Sequence, residues 1–195
     1  MPSYKVIYVT GAPASGKSST MALLSEKVPG INVWEYGSRL TDFLKNRGSD
    51  LRNQDELRTR SASVAQPSDI DELDDELLSW TVASRLRGHT VIDSHPVTKE
   101  DYGFRVTAFS VDRFQSLHPT EIWLFYVAPE LTVERIARDP AGRPSISIEE
   151  ARMHSFAQAS VACTFGIAVG CPVYMFDTAV DQTTLVDKLA IRLSE

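Results

Sequence analysis

The segment Gly11-Ala-Pro-Ala-Ser-Gly16-Lys17-Ser18 matches G-x-x-x-x-G-K-[ST] at every defined position. It stands directly after an apolar, β-branched run at 4–10 (YKVIYVT) and directly before a stretch in which Met21, Leu24 and Val28 recur at i, i+3 and i+7. Strand, glycine-containing loop and helix in that order constrain the fold more than anything else in the chain. The glycines let the backbone curl so that successive N–H groups point at one spot. The positive end of the helix faces the same spot, which suits nucleotide phosphates. Lys17 would neutralise the β- and γ-phosphates, the Ser18 hydroxyl would ligate Mg2+, and Ser19 would reach the α-phosphate. The candidate nucleotide contacts are therefore Gly11, Ala12, Pro13, Ala14, Ser15, Gly16, Lys17, Ser18 and Ser19, with ATP as phosphoryl donor.

Four further strand-like runs follow, at 31–36 (INVWEY), 89–93 (HTVID), 122–127 (IWLFYV) and 172–176 (PVYMF). Several are apolar almost throughout rather than alternating, which suits strands covered on both faces. Leu185, Leu189 and Leu193, at i, i+4 and i+8, mark another helix with one buried stripe. Strands alternating with helices predict an α/β protein, a parallel sheet wrapped by helices. Two stretches break the rhythm. Residues 38–87 have no strand signal and predict two or three helices, one starting near Asn53 and another near Ser68 after Pro67. Six of the eight residues at 69–76 are acidic, and they are expected to be solvated near the positive end of their helix. Residues 138–144 (RDPAGRP) form a Pro/Gly-rich loop with two arginines, a candidate lid. Ser147 and Glu150 then predict a capping box opening a long helix toward Gly166.

A length of 195 residues suits one domain. Lys and Arg number 20 against 26 Asp and Glu, and the net charge of −6 argues against a nucleic-acid polymer as partner. Cys163 and Cys171 are too few for a disulfide framework or a thiolate cage and read as reduced, partly buried thiols. No apolar run reaches the ~18 residues of a membrane span, and the chain opens on a strand-like segment rather than a signal peptide. A soluble, cytoplasmic domain is the expectation. Trp34, Trp80 and Trp123 read as core or interface packing, and His89 and His118 as surface or strand-end residues.

The run at 90–93 (TVID) ends in a carboxylate, as a Walker B strand does. Asp93 could hold Mg2+ through water beside Ser18, or could merely cap the next turn. Three activities compete for such a site. A GTPase needs an Asn-Lys-x-Asp segment, which is absent. A kinase of small alcohols or nucleoside hydroxyls needs a carboxylate base, for which Glu35 or Asp93 could serve. A nucleoside monophosphate kinase needs cations instead, because its acceptor oxygen is already anionic. Arg138 and Arg143 on the candidate lid, Arg39 and Arg58 in the helical insertion, and Arg105 beyond the third strand favour that reading. A regulatory ATPase remains a further alternative. His95, directly after the Walker B-like strand, is a candidate ligand-edge residue.

These residues together resemble the archaeal-type adenylate kinases, a branch of the P-loop nucleoside monophosphate kinases. The likeness rests on VTGAPASGKSS at 9–19, EYGSRLTDFLKNRG at 35–48, NQDELR at 53–58 and VIDSHPVTK at 91–99. It continues through Gly103-Phe104, the segment 135–143, His154 and the small-residue helix up to Gly170. The resemblance implies a three-layer P-loop NTPase fold in one domain over 1–195, with a five-stranded parallel sheet. It also implies an NMP-binding insertion at 37–87 and a short lid at 138–146. Mg-ATP would lie on the phosphate loop, and Gly37, Ser38, Arg39, Arg58 and His95 would hold the acceptor, AMP first. Arg138 and Arg143 would join Lys17 in catalysis. Two positions depart from the pattern: Ala141 stands where a second lid-tip arginine is usual, and Arg39 where an apolar residue is. The lid has no cysteine for the zinc site of some bacterial relatives. Some archaeal relatives are trimers, which leaves a homo-oligomer open, although no surface stripe argues for one.

Overall fold

The computed structural model describes residues 4–52, 56–57, 64–139 and 144–195. Five strands form one sheet: β1 (Val6–Gly11), β2 (Asn32–Glu35), β3 (Thr90–Asp93), β6 (Glu121–Tyr126) and β7 (Val173–Asp177). Their order is β2-β3-β1-β6-β7, and every neighbouring pair is parallel. All five strand-like runs of the sequence are therefore strands of one parallel sheet.

Side chains alternate across a strand, so β1 feeds two separate cores. Val6 and Tyr8 point to the layer with Trp34, Ile92, Ile122, Leu124 and Phe165, whereas Ile7 and Val9 point to the layer with Val91, Trp123, Phe125 and Leu189. Both faces being covered is why these strands read as unbroken apolar runs. Helices α1 (Lys17–Lys27) and α7 (Gln182–Ser194) cover the second face through Met21, Leu24, Leu185, Leu189 and Leu193. Helices α2 (Tyr36–Asn46), α3 (Pro67–Ser84), α4 (Val111–Ser116) and α6 (Ile148–Val169) contribute to the first, while α5 (Pro129–Ala137) packs on α6. Phe114 and Phe165 stack there at 4.0 Å, with the Tyr8 ring edge-on to Phe114 at 5.0 Å.

Three local outcomes depart from or refine the sequence reading. The first is an antiparallel hairpin, β4 (Val97–Glu100) and β5 (Gly103–Val106), turning through Asp101-Tyr102. VTKE and GFRV show no apolar run, so the pairing is carried by cross-strand contacts such as Arg105–Glu100 at 2.9 Å. The second concerns the acidic run, expected to be solvated throughout. Asp69 and Asp74 are instead buried in the packed face of α3, beside Leu73 and Leu77. Cations from other elements answer the charge, Arg47 with Asp69 at 3.0 Å and Arg113 with Asp75 at 2.8 Å. The third is the end of α6. Its capping box forms as read, with Ser147 Oγ accepting from the Glu150 amide at 3.1 Å and a Glu150 carboxylate oxygen accepting from the Ser147 amide at 2.8 Å. The helix then runs past Gly166 and stops at Gly170, whose φ of 68° reverses the chain. The helix start near Asn53 lies outside the described residues.

Both cysteines are free, and burial followed by the nearby Glu121 charge pushes the Cys171 thiol up to about 11. Trp34 and Trp123 are buried and Trp80 packs against the first core. No helix among the described residues is long and apolar enough to cross a membrane.

Gly166 lets α6 approach β7 closely, because a Cβ there would overlap Val173 and come within 2.8 Å of the Cys171 carbonyl. Gly166→Ala is expected to destabilise the protein by about 1–3 kcal/mol through overpacking, read as a lower urea midpoint at unchanged slope.

Candidate active site

Strand β1 ends between β3 and β6, so the loop at 11–16 leaves from the middle of the sheet's carboxyl edge. Ligand crevices of parallel sheets form at such edges. A side chain at Gly11 would place its Cβ 2.5 Å from the Phe125 carbonyl and 2.7 Å from Ser15 Oγ. Gly16 caps α1 with φ 79° and no side-chain hydrogen bond, leaving the first amides of the helix open. The Ser15 amide donates to the Ala12 carbonyl at 3.1 Å, closing a turn within the loop. Ser15 Oγ is buried without a hydrogen-bond partner.

Side chains remote in sequence secure the loop from outside. Arg135 of α5 donates to the Ala14 carbonyl at 3.1 Å, and to the Thr178 hydroxyl and carbonyl at 3.1 and 2.9 Å. The Thr178 hydroxyl itself donates to the Ser15 carbonyl at 2.7 Å. From beneath, the fully buried Gln158 amide donates to the Gly11 carbonyl at 3.1 Å and to Thr10 Oγ1 at 3.2 Å, while its carbonyl accepts from the Val97 amide at 3.1 Å. One turn away, His154 Nε2 donates to the Val97 carbonyl at 3.0 Å, and burial lowers its pKa, keeping the ring neutral. The small-residue helix α6 thus ties β4 to the loop.

The charged centre lies between β1 and β3. Their register sets Val9 beside Asp93, and the buried Lys17 ammonium pairs with the Asp93 carboxylate. His95 Nδ1 lies 3.1 Å from the Gly11 carbonyl and its Nε2 3.1 Å from Lys17 Nζ. A carbonyl on one side and an ammonium on the other put the ring proton on Nδ1 and a lone pair on Nε2. Lys17, Asp93 and His95 therefore meet at one point. Ser18 and Ser19 are exposed on the first turn of α1 above it, Ser19 Oγ donating to the Gly16 carbonyl at 2.9 Å.

Two cavities flank the sheet edge. A cleft of about 690 Å³ lies against the loop, lined among others by Gly16, Ser19, Arg135, Arg138, Thr178 and Gln182. Arg138 caps α5 there, exposed and 2.6 Å from Glu134. On the other side, β2 leads without a break into α2, so Gly37 and Ser38 form its first turn. The β2–β3 register sets Glu35 beside Asp93. Arg39 turns outward, its guanidinium 4.8 Å over the Trp34 ring. It lines a separate cavity of about 550 Å³ with Trp80 and three carboxylates of α3, which shares no residue with the cleft. Arg105 pairs with Glu100 in the hairpin. Arg58, Ala141 and Arg143 lie outside the described residues, as does the middle of the candidate lid.

Arg135, Thr178 and Gln158 were not singled out as functional from the sequence. Gln158 left one trace there: a polar residue four after His154 on a helix whose inward positions continue with Ala162 and Phe165. Arg135 and Thr178 left none, since 43 residues separate them. Removing the loop's outer clamp with Arg135→Leu is expected to cost about 1–3 kcal/mol in urea unfolding and to speed amide exchange at 14–16.

The arrangement has relatives in fold and in sequence. The tunicamycin resistance protein of Deinococcus radiodurans superposes with a TM-score of 0.59 at 16% identity, covering 97% of this chain and 95% of its own. A shikimate kinase from Bacteroides thetaiotaomicron gives 0.59 at 15% identity, over 98% and 99% of the two chains. A sugar kinase from Janibacter sp. HTCC2649 gives 0.57 at 12%, over 96% and 93%. At these identities the likeness shows the fold, which is that of the P-loop kinases. An adenylate kinase of Pyrobaculum aerophilum is 29% identical over 150 residues, which are 76% of this chain and 72% of that protein. Residues 10–152, from the phosphate loop into α6, match the AAA domain family, and the chain belongs to it, as a protein with a P-loop kinase fold.

Proposed function

We propose that the protein is a nucleoside monophosphate kinase that moves the γ-phosphoryl group of ATP to a monophosphate, with AMP the first acceptor to test. The observation that carries this reading is the meeting of Lys17, Asp93 and the open loop amides with the N-terminal turn of α2 at one sheet edge. The adenylate kinase relative supports it. The loop fits a phosphate chain: no side chain caps the first amides of α1, and the buried Ser15 hydroxyl lacks a partner. Gly11 through Ser19 would hold the donor, its nucleoside end in the cleft beside Thr178 and Arg138.

The donor set at Ser18 and Asp93 consists of oxygens, which suits Mg2+. Ser18 and Asp93 would hold it, and its charge would offset that of the phosphates. Phosphate entering the loop would give the Lys17 ammonium a second anion beside Asp93, one on which charge develops during transfer. Gly37 and Ser38, with Arg58 and His95, would hold the acceptor, within an insertion at 37–87. Arg39 would join them only by leaving the Trp34 ring. Arg138 and Arg143, on a lid at 138–146, would close over both phosphates, and the closure would keep water from taking the phosphoryl group.

Lys17→Ala is expected to abolish turnover at an unchanged circular dichroism spectrum; full activity in that variant refutes the role. Arg143→Ala is expected to lower kcat more than it raises either KM, since lid charge acts on the transition state. Diphosphate formation from AMP, CMP, UMP, GMP and dTMP with Mg-ATP tests the activity itself. Failure of all five would sink it.

One observation favours a second reading, the exposed Glu35 at the end of β2 in register with Asp93. A carboxylate there could take a proton from an alcohol or a nucleoside hydroxyl. Glu35→Gln separates the two: an alcohol kinase is crippled, a monophosphate kinase comparatively spared.

A further inference from the structure

The acidic face of α3 holds one carboxylate that surface solvation does not explain. Asp74 is 4% exposed and accepts a hydrogen bond from the Tyr36 hydroxyl at 2.7 Å. Tyr36 is the first residue of α2, immediately before Gly37 and Ser38, and its ring meets Phe109 edge-on at 5.8 Å. Among the described residues, no other side chain joins the first turn of α2 to α3 by a hydrogen bond. The α2 N-terminus follows β2 directly and has no side-chain cap of its own, and this contact ties its first turn to α3.

The groups facing Asp74 come from four elements. They are Tyr36 of α2, the buried Tyr8 of β1, Arg113 of α4, and Asp71 and Asp75 on α3 itself. Arg113 is engaged elsewhere, donating to Asp75 at 2.8 Å and to the Asp71 carbonyl at 3.2 Å. Burial raises the Asp74 carboxyl to about 6, the charges of Asp71 and Asp75 adding to it against the Tyr36 hydrogen bond and Arg113. A folded-state value raised above the ordinary carboxylate range means a stability contribution present below pH ~4 and lost as pH rises through about 6. Ionised Asp74 therefore weakens the fold at neutral pH. A charge kept at the expense of stability beside a ligand edge points to use.

We propose that Asp74 and Tyr36 are positioning residues for the acceptor, their hydrogen bond setting the first turn of α2, and with it Gly37 and Ser38, against the Lys17–Asp93 centre. The proposal rests on the monophosphate kinase reading for the identity of the acceptor, but the pair itself is testable without it. An ionised acceptor oxygen makes the stronger bond to the Tyr36 hydroxyl, and a neutral carboxyl holds the turn less firmly.

The test uses the full chain with Asp74→Asn, Tyr36→Phe, the double variant and Asp74→Glu. At pH 8, Asp74→Asn is expected to match or exceed the parent in urea midpoint. Its KM for AMP should rise about ten-fold, while its KM for ATP stays within about two-fold. The double variant should be no worse than either single, and Asp74→Glu should recover part of the loss. Because the phosphate of AMP itself titrates at about 6 with both proteins, the expected sign is a steeper acid-side fall of kcat/KM for AMP in the parent than in Asp74→Asn. Loss of stability in Asp74→Asn with both KM values rising together overturns the proposal. Should no monophosphate be turned over, the functional reading fails and the pair is judged by fluorescence of the ligand-free protein. Trp34 on β2 and Trp80 on α3 face each other at 5.3 Å across this junction. A transition near pH 6 in the parent, absent in Asp74→Asn, upholds the pair, and its absence from the parent refutes it.

Discussion

A ring of backbone amides held open toward solvent is costly, because each N–H turned inward to a ligand gives up a partner in the ligand-free fold. The loop at 11–16 keeps such a ring by being clamped from outside. Arg135 and Thr178 grip the carbonyls of Ala14 and Ser15, and Gln158 grips that of Gly11. With its carbonyls tied outward, the loop has its amides left for the interior of the curl. The buried Ser15 hydroxyl without a partner is the residue of that arrangement. All the proposed chemistry presupposes this clamp.

Charge is organised around the same edge. Lys17 is buried and answered by Asp93, so its ammonium is already desolvated and aimed when a phosphate arrives. A buried ion pair of this kind contributes little net stability, and its value lies in the orientation it imposes. His95 adds a lone pair from the other side and ties the centre back to Gly11. On the α2 side the acidic helix α3 would repel its own surroundings were it not matched by Arg47 and Arg113. Asp74 instead accepts a hydrogen bond from the neutral Tyr36 hydroxyl, and burial raises its carboxyl to about 6 against that bond.

Where information is local, the sequence is legible. The five strands, the loop glycines, Lys17 and the Ser147–Glu150 capping box all follow from a few adjacent residues obeying short-range rules. The sequence is silent where partners are distant. The β4–β5 hairpin lacks an apolar run and depends on cross-strand pairing, and the inward turn of Asp69 and Asp74 depends on what α3 packs against. The stacking of the Arg39 guanidinium on the Trp34 ring, two strands out from β1, is likewise a contact that only the fold creates.

The amino-acid order alone therefore settled the class of fold, the place of the phosphate loop and the lysine it presents, since helix, strand and loop periodicities are written in contiguous residues. Parallel packing of β1 between β3 and β6 was needed to bring Asp93 and His95 onto Lys17, across separations of 76 and 78 residues. It was needed equally to set Tyr36 on Asp74 and Thr178 on the loop. Contacts of that span depend on which faces the sheet and helices bury together, and no stretch of neighbouring residues carries that information.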